Sequence, residues 1–336
     1  MSNIIRTGLL SFGMSGKVFH APFLTAHSGF ELTAVVERSK QEAHKIYPHI
    51  NSYASVDAIL LDKSIDLIIV NTPTGTHYEF ALKALQHKKH VLVEKAFTAT
   101  SAQAKELFAL AKAHNCCLLA YQNRRFDSDY MSVVDVVKSG KLGSIVEAHF
   151  RFDRYKHEIG PKAKEIPGEG SGLSYDLGPH LLDEVIALFG QPLSWNKTLG
   201  MYRPNTKVND FMHVHLTYPK ALQVFVTTSL LVANEQAAYV IHGTKGSYVK
   251  YRTDQQEAQL LEGIGVEDAN YGNEKENQEG VLTTMDENNV KTVIKVPSKK
   301  GNYMEVFNAV YATIMEQKPY IVTEQHIIYQ LEILED

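Results

Sequence analysis

Two patterns of apolar spacing divide this chain. Up to about residue 123, short β-branched runs alternate with stretches whose apolar residues recur at helical spacing. The runs at 4–12, 30–36, 65–72, 90–96 and 116–122 read as strands, and 16–27, 40–47, 77–88 and 101–114 read as helices. Several strand runs are apolar at consecutive rather than alternate positions. Such strands are buried on both faces, the pattern of a parallel sheet between two layers of helices. With right-handed crossovers, this predicts a doubly wound Rossmann domain over residues 1–123.

After residue 123 the pattern changes. A helix over 129–139 leads into a long strand at 144–155, a Gly/Pro-rich loop at 156–174 and a helix opening at Pro179. Runs at 197–203, 210–218, 221–232, 237–243, 246–252 and 290–296 then read as strands joined by short turns. Strands in succession predict an open, mostly antiparallel sheet. Helices over 303–317 and 324–335 complete a second α/β domain, 124–336.

Composition narrows the class. The 336 residues exceed what one hydrophobic core usually serves. Hydrophobic content of 44% and charged content of 21% are those of a soluble protein. A formal charge of −4 gives no electrostatic reason to expect a nucleic acid partner. No apolar run approaches the roughly 18 residues that span a bilayer, so no membrane partner is expected. The first residues lack a signal-peptide layout. Cys116 and Cys117 are neighbours on an expected strand and point to opposite faces, which fits a reducing, cytoplasmic setting.

The first candidate chemistry lies in Ser11-Phe12-Gly13-Met14-Ser15-Gly16, between the first strand and first helix. A dinucleotide turn reads G-x-G-x-x-G: the first glycine serves the tight turn, the second the approach of pyrophosphate, the third helix–strand packing. Gly13 and Gly16 fill the latter two roles, and Ser11 serves where its backbone stays in an ordinary φ/ψ region. Glu37 ends the second strand at the distance expected of a carboxylate holding the ribose hydroxyls. Arg38-Ser39 follows it, and an Arg there pairs with a 2′-phosphate or stacks on adenine. Glu37 argues for NAD and Arg38-Ser39 for NADP; the balance leans to NAD.

Three further stretches carry polar groups. Asn71-Thr72-Pro73-Thr74-Gly75-Thr76-His77 and Glu94-Lys95-Ala96-Phe97-Thr98 follow strands whose carboxyl ends line a ligand crevice in such sheets. Tyr175-Asp176-Leu177-Gly178-Pro179-His180 opens a helix with Pro179 at its first position. His180 is then in the first turn, where the dipole disfavours imidazolium and leaves a ring able to accept a proton. Asp176, four residues earlier, is placed to orient it. Fifteen histidines invite a metal, and His213 and His215 share a strand face, but no Cys/Asp/Glu array completes a site, so none is expected. Gly243–Ser247 lacks P-loop spacing and reads as a hairpin turn.

Together, SFGMSGKVFHAPF, VNTPTGTH, VEKAFT, YQNRRFD and SYDLGPHLLD, with the FDRY run at 152–155, resemble the glucose–fructose oxidoreductase/inositol dehydrogenase (Gfo/Idh/MocA) family. The resemblance covers essentially the whole chain and is strongest to the scyllo-inositol dehydrogenase branch. It implies a Rossmann domain and a second domain that binds substrate and pairs subunits through its open sheet, giving a dimer or tetramer. The family's EKP lysine falls on Lys95, with Ala96 replacing the proline, and its D-x-x-x-H pair falls on Asp176 and His180. The implied activity is NAD(P)-dependent oxidation of a secondary alcohol on a polyol, cyclitol or sugar. His180 would take the hydroxyl proton and Lys95 stabilise the oxygen, or the two would exchange roles. Phe12, Gly13, Met14, Ser15, Gly16, Glu37, Arg38, Thr72, Pro73, Thr74, His77, Glu94 and Asn123 are the expected cofactor residues. Lys95, Asn123, Arg154, Tyr155 and His180 are the expected substrate residues. Arg125 suits a hydroxyl-rich ligand or a local Asp, and His20 the nicotinamide end or helix packing. A regulator of the same fold that senses dinucleotide without turnover is the alternative.

Overall fold

Consecutive apolar residues become a parallel sheet in the computed structural model, which describes residues 4–38, 41–161 and 163–335. The first part runs β1 (Ile5–Leu9), α1 (Ala21–Ala26), β2 (Phe30–Val36), α2 (Ala43–Ile46), β3 (Asn51–Tyr53), α3 (Val56–Leu60), β4 (Leu67–Val70), α4 (His77–Gln86), β5 (His90–Val93), α5 (Ser101–Ala113) and β6 (Leu118–Ala120). Its strands pair in the order β3-β2-β1-β4-β5-β6, all parallel. All four residues of β4 are buried, as expected of a strand covered on both faces. Thr100 and Gln103 close a capping box that sets the start of α5. The strand–helix pair β3 and α3 is absent from the sequence reading, because NSY is short and half polar.

The remainder runs α6 (Ser128–Lys138), β7 (Ile145–Asp153), α7 (Leu173–Asp176), α8 (Gly178–Phe189), β8 (Ser194–Gly200), β9 (Phe211–Thr217), β10 (Gln223–Ser229), β11 (Tyr239–Gly243), β12 (Gly246–Lys250), α9 (Gln256–Leu261), β13 (Gly280–Met285), β14 (Lys291–Val296), α10 (Met304–Glu316) and α11 (Glu324–Glu335). Eight strands pair in the order β14-β13-β12-β11-β7-β10-β9-β8. Only β7 and β10 run parallel; the other neighbours are antiparallel. Ala148, Phe150 and Phe152 of β7 face the core, while Glu147, His149, Arg151 and Asp153 alternate outward. This is a one-sided sheet read directly from its period of two.

Two expectations shift. The strand expected at 197–203 lies at Ser194–Gly200, because the Asp210 carboxylate accepts hydrogen bonds from the backbone N–H groups of Tyr202 and Arg203, both 2.8 Å, and turns the chain there. The domain division is also not contiguous. One compact unit comprises Met1–Gln122, Glu257–Ala269 and Tyr303–Leu331; the other comprises Asn123–Gln256, Asn270–Asn302 and Glu332–Asp336. The reason is an aromatic seam. Phe307 of α10 stacks on Phe23 of α1 with ring centroids 5.3 Å apart, and Tyr311 packs edge-on to Phe30 of β2. A Cβ at Gly29 would sit 2.4 Å from the Tyr311 ring, so the glycine admits that helix.

Candidate active site

In the first unit, the turn after β1 meets the end of β4, where the strand order reverses. Ser11 N–H donates to Asn71 Oδ1 at 3.0 Å, and Asn71 Nδ2 donates back to the Ser11 carbonyl at 2.8 Å. Ser11 also receives the Gly13 N–H on its hydroxyl at 3.2 Å. Its φ is not positive, so the position does not demand glycine. Gly16 is different: a Cβ there would lie 2.4 Å from the Ser11 carbonyl. At Gly13 an added Cβ would meet only Ser11 Oγ, at 3.4 Å. Packing therefore requires Gly16, whereas the exposed face of the loop at Gly13 is open. The glycine turn at the strand end and this opening fit a dinucleotide.

A cavity of about 570 Å³ opens at these strand ends, lined among others by Ser11, Phe12, Glu37, Arg38, Thr72 and Pro73. Phe12 is buried against Tyr47, and Met14 is exposed. Thr74 starts the tight turn before α4 and does not line the cavity. Glu37 lines it, but its carboxylate is otherwise engaged. It accepts the backbone N–H of Glu42 at 2.9 Å and of Ala43 at 3.3 Å, and the Ser52 hydroxyl at 3.2 Å. It thus caps α2 rather than standing free for ribose hydroxyls. Arg38 is exposed at the rim; its expected companion Ser39 lies outside the described residues.

His77 departs further from expectation. It is fully buried, with Nδ1 at 2.8 Å from the Ala96 carbonyl and Nε2 at 2.7 Å from the Thr72 carbonyl. Burial pushes its pKa down, against the two carbonyls that favour the doubly protonated ring. Its role is to strap the Thr72 loop to the turn after β5, and no surface remains for a cofactor. His20 is equally buried, 4.5 Å from the Tyr121 ring, which excludes it as a lining residue.

What His20 does is hold Glu94. Its Nε2 lies 2.9 Å from Glu94 Oε1, which also accepts the Ser15 hydroxyl at 2.6 Å; Glu94 Oε2 accepts the backbone N–H of Lys95 at 3.2 Å. One buried carboxylate therefore clasps the glycine loop to the Lys95 turn. Burial alone would raise the Glu94 pKa; bonds from His20 and Ser15 and the charges of His20 and Lys95 outweigh it, holding the group at about 2. Because this lies below the unfolded value, the clasp stabilises the fold above the ordinary Glu range and the contribution is lost as pH falls from 4.5 towards 2. Acid unfolding of Glu94→Gln followed by circular dichroism should show a shallower loss across that window; an unchanged profile would count against the clasp. Around the peptide bond Lys95–Ala96, which is cis, residues 91–99 are buried apart from Lys95.

The second unit holds the other expected residues. Asp176 ends α7 and His180 lies in the first turn of α8, with only Leu177 between the helices. Both flanking backbones are helical at Leu177, so positions 176 and 180 share one face. Lys164 Nζ donates to Asp176 Oδ2. Arg125 takes the local-pair alternative, forking onto Asp183 at 2.6 and 2.8 Å. Asn123 is buried at the start of a tight turn, and Tyr155 is 63% exposed. A cavity of about 140 Å³ is lined by Arg154, Lys156, Lys164, Asp176, Arg203 and neighbours. Arg203, unremarked in the sequence, is sealed between Glu165 at 2.7 Å and Asp210 at 3.2 Å. His213 and His215 flank Phe225 and bond Thr227 and Gln223. Among the described residues no cluster of His, Cys, Asp or Glu is arranged for a metal.

A doubly wound sheet with a glycine turn at its switch point and a separate, mostly antiparallel sheet make the architecture of an oxidoreductase family with an NAD-binding Rossmann domain. Residues 5–122 match the model of an oxidoreductase family with an NAD-binding Rossmann fold, and 130–249 match the GFO/IDH/MocA C-terminal domain. The chain belongs to the Gfo/Idh/MocA family. It is 36% identical to the uncharacterized oxidoreductase YdgJ of Escherichia coli strain K12, covering 100% of this chain and 96% of that one. It is 31% identical to scyllo-inositol 2-dehydrogenase (NADP(+)) IolW of Bacillus subtilis, covering 98% and 92%. The solved structure of the oxidoreductase yvaA from B. subtilis matches with a TM-score of 0.96 at 30% identity, over 100% of this chain and 95% of that one.

Proposed function

We propose that this chain is an NAD(P)-dependent dehydrogenase that reversibly oxidises a secondary alcohol on a polyol, cyclitol or sugar. The observation that carries the reading is the Ser15–Glu94–Lys95 clasp, which ties the dinucleotide loop to a lysine suited to an alcohol oxygen. NAD(P), when bound, supplies the hydride acceptor at its nicotinamide. Lys95 and His180 divide the remaining work: one hydrogen-bonds the reacting oxygen, the other takes its proton, and Asp176 orients His180. Gly13, Met14, Ser15 and Gly16 approach the pyrophosphate. Thr72 and Pro73 line the nucleotide cavity. Self-association through the eight-stranded sheet belongs to the same reading, which its outer face supports with Phe225 stacked between His149 and His215.

The engagement of Glu37 by Glu42, Ala43 and Ser52 removes the argument for NAD and leaves Arg38 at the cavity rim. That favours NADP, as does the cofactor in the name of the IolW relative. Arg38→Ala is expected to weaken NADP binding by about 10- to 100-fold, with a much smaller effect on NAD. Fluorescence titration with both dinucleotides measures this; equal losses would return the preference to NAD. The reading as a whole is tested by following reduced nicotinamide while purified protein meets a panel of inositols and sugars. Tight dinucleotide binding without turnover on any of them would instead identify a dinucleotide-sensing regulator.

A further inference from the structure

The outer face of the eight-stranded sheet carries one uncharged row that crosses most of its strands. His215 of β9, Phe225 of β10, His149 of β7, Val240 of β11, Val249 of β12 and Val281 of β13 stand directly opposite one another in register. Each is at least partly open to solvent, whereas the residues between them along each strand are buried on the other face. The rings of His149 and His215 stack on Phe225 from the strands on either side, with centroids 4.9 and 4.7 Å away. Two more histidines flank the row: His213 lies 6.0 Å from the same ring, and His242 stands opposite Glu147.

The formal charges on this face are matched where they stand. Arg151 donates to Asp153 at 2.8 Å, and Glu147 is bonded to His149. Lys291 and Lys295 lie only on the edge strand β14, Lys295 at 3.5 Å from Glu279. A two-fold axis sets such a face against itself, and this one offers its copy little net charge to repel. Eight strands about 4.8 Å apart and roughly 20 Å long cover about 750 Å². That is close to the roughly 800 Å² that each partner contributes to a stable interface.

Resting on the self-association proposed above, we infer that this row is the contact between two copies of the chain and that its histidines gate it, the copies meeting with the rings uncharged and separating as the rings take up protons. An imidazolium in the contact loses its hydration and meets its twin across the axis, so the paired state binds protons less readily than the free chain. Association is then complete above the ordinary histidine range and lost as pH falls through it. Within one copy the rings already act on each other: burial first, then the charges of His215, Arg151 and His149, push the His213 pKa down. Glu147 is held below the usual carboxylate range chiefly by its bond with His149, so it stays ionised in this window and offsets one of the four charges each copy gains.

Sedimentation velocity of the full chain between about pH 7.5 and about pH 5.5 is the test, with circular dichroism at each pH. The dissociation constant of the wild type should rise at least about 100-fold on acidification, about tenfold for the first histidine protonated on each copy, while the folded spectrum is kept. Phe225→Asp should be monomeric already at about pH 7.5. The double variant His149→Gln, His215→Gln should associate there and lose about tenfold or more of the pH dependence. Association that ignores pH, or a double variant that dissociates as steeply as wild type, overturns the gate and leaves self-association standing. Phe225→Asp that associates like wild type shows that the copies meet elsewhere, and acid dissociation that coincides with loss of the folded spectrum makes it unfolding; either overturns the inference. A wild type that is monomeric throughout removes self-association itself, whereas the dehydrogenase reading is judged separately by the nicotinamide assay.

Discussion

Replacing Lys95 by alanine, or His180 by alanine, is expected to lower kcat by about 100- to 10,000-fold, the range over which single acid–base and oxyanion-stabilising groups act. Dinucleotide affinity should stay within about threefold in His180→Ala, which lies in the second unit. In Lys95→Ala it should fall little, because Glu94 binds the Lys95 backbone N–H rather than its amine. Stopped-flow single turnovers with pre-bound cofactor separate the chemical step from binding. The pH profiles of the two variants assign the roles: the substitution that abolishes the limb reporting proton acceptance has removed the acceptor. Near-normal turnover in both would sink the mechanism.

A second large effect is expected from a residue outside the chemistry. Arg203→Ala should destabilise the fold by about 3–5 kcal/mol, the scale set by stripping one partner from a buried ionic network. Glu165 and Asp210 are both buried, and Arg203 also donates to the Glu158 carbonyl at 3.2 Å. Arg203 and Lys156 hold Glu165 below the usual carboxylate range against a burial that pushes it up. Removing the guanidinium leaves Glu165 with Lys156 alone and takes from the buried Asp210 its partner cation. Urea unfolding measures the loss. The triple variant Arg203→Met, Glu165→Gln, Asp210→Asn should recover much of it, since the cost lies in the uncompensated charge. A loss below about 1 kcal/mol in Arg203→Ala would show that solvent reaches the network.

Reading the sequence worked where spacing and local backbone chemistry decide the outcome. Gly16 was legible because only a residue without Cβ passes the Ser11 carbonyl, and Pro179 because a helix tolerates it in its first turn. It worked less well for polar residues whose partners are distant in sequence. His77 looked like a ligand-facing group and is a buried strut, and of the two roles read for His20 the packed one holds. Glu37 has the position of a ribose ligand, yet five residues downstream the chain folds back and offers it free N–H groups. Arg203, which holds the Gly/Pro-rich loop, carried no local signal, and Asn71 stood in a polar stretch with nothing to show that its partner is Ser11.

The alternation of strands and helices in the first part, apart from β3 and α3, its parallel sheet, and a mostly antiparallel second sheet, apart from β13, follow from the sequence alone. Apolar period fixes which faces must leave water, and that constraint is local. The return of Tyr303–Leu331 to the first unit follows instead from rings of α10 meeting Phe23 and Phe30. Tertiary structure likewise decided which charges are spent on each other. Ser15 and Glu94 are 79 positions apart, and Arg203 and Glu165 are 38 apart. A charge is matched or unmatched within a few ångströms, and only the folded chain sets those distances.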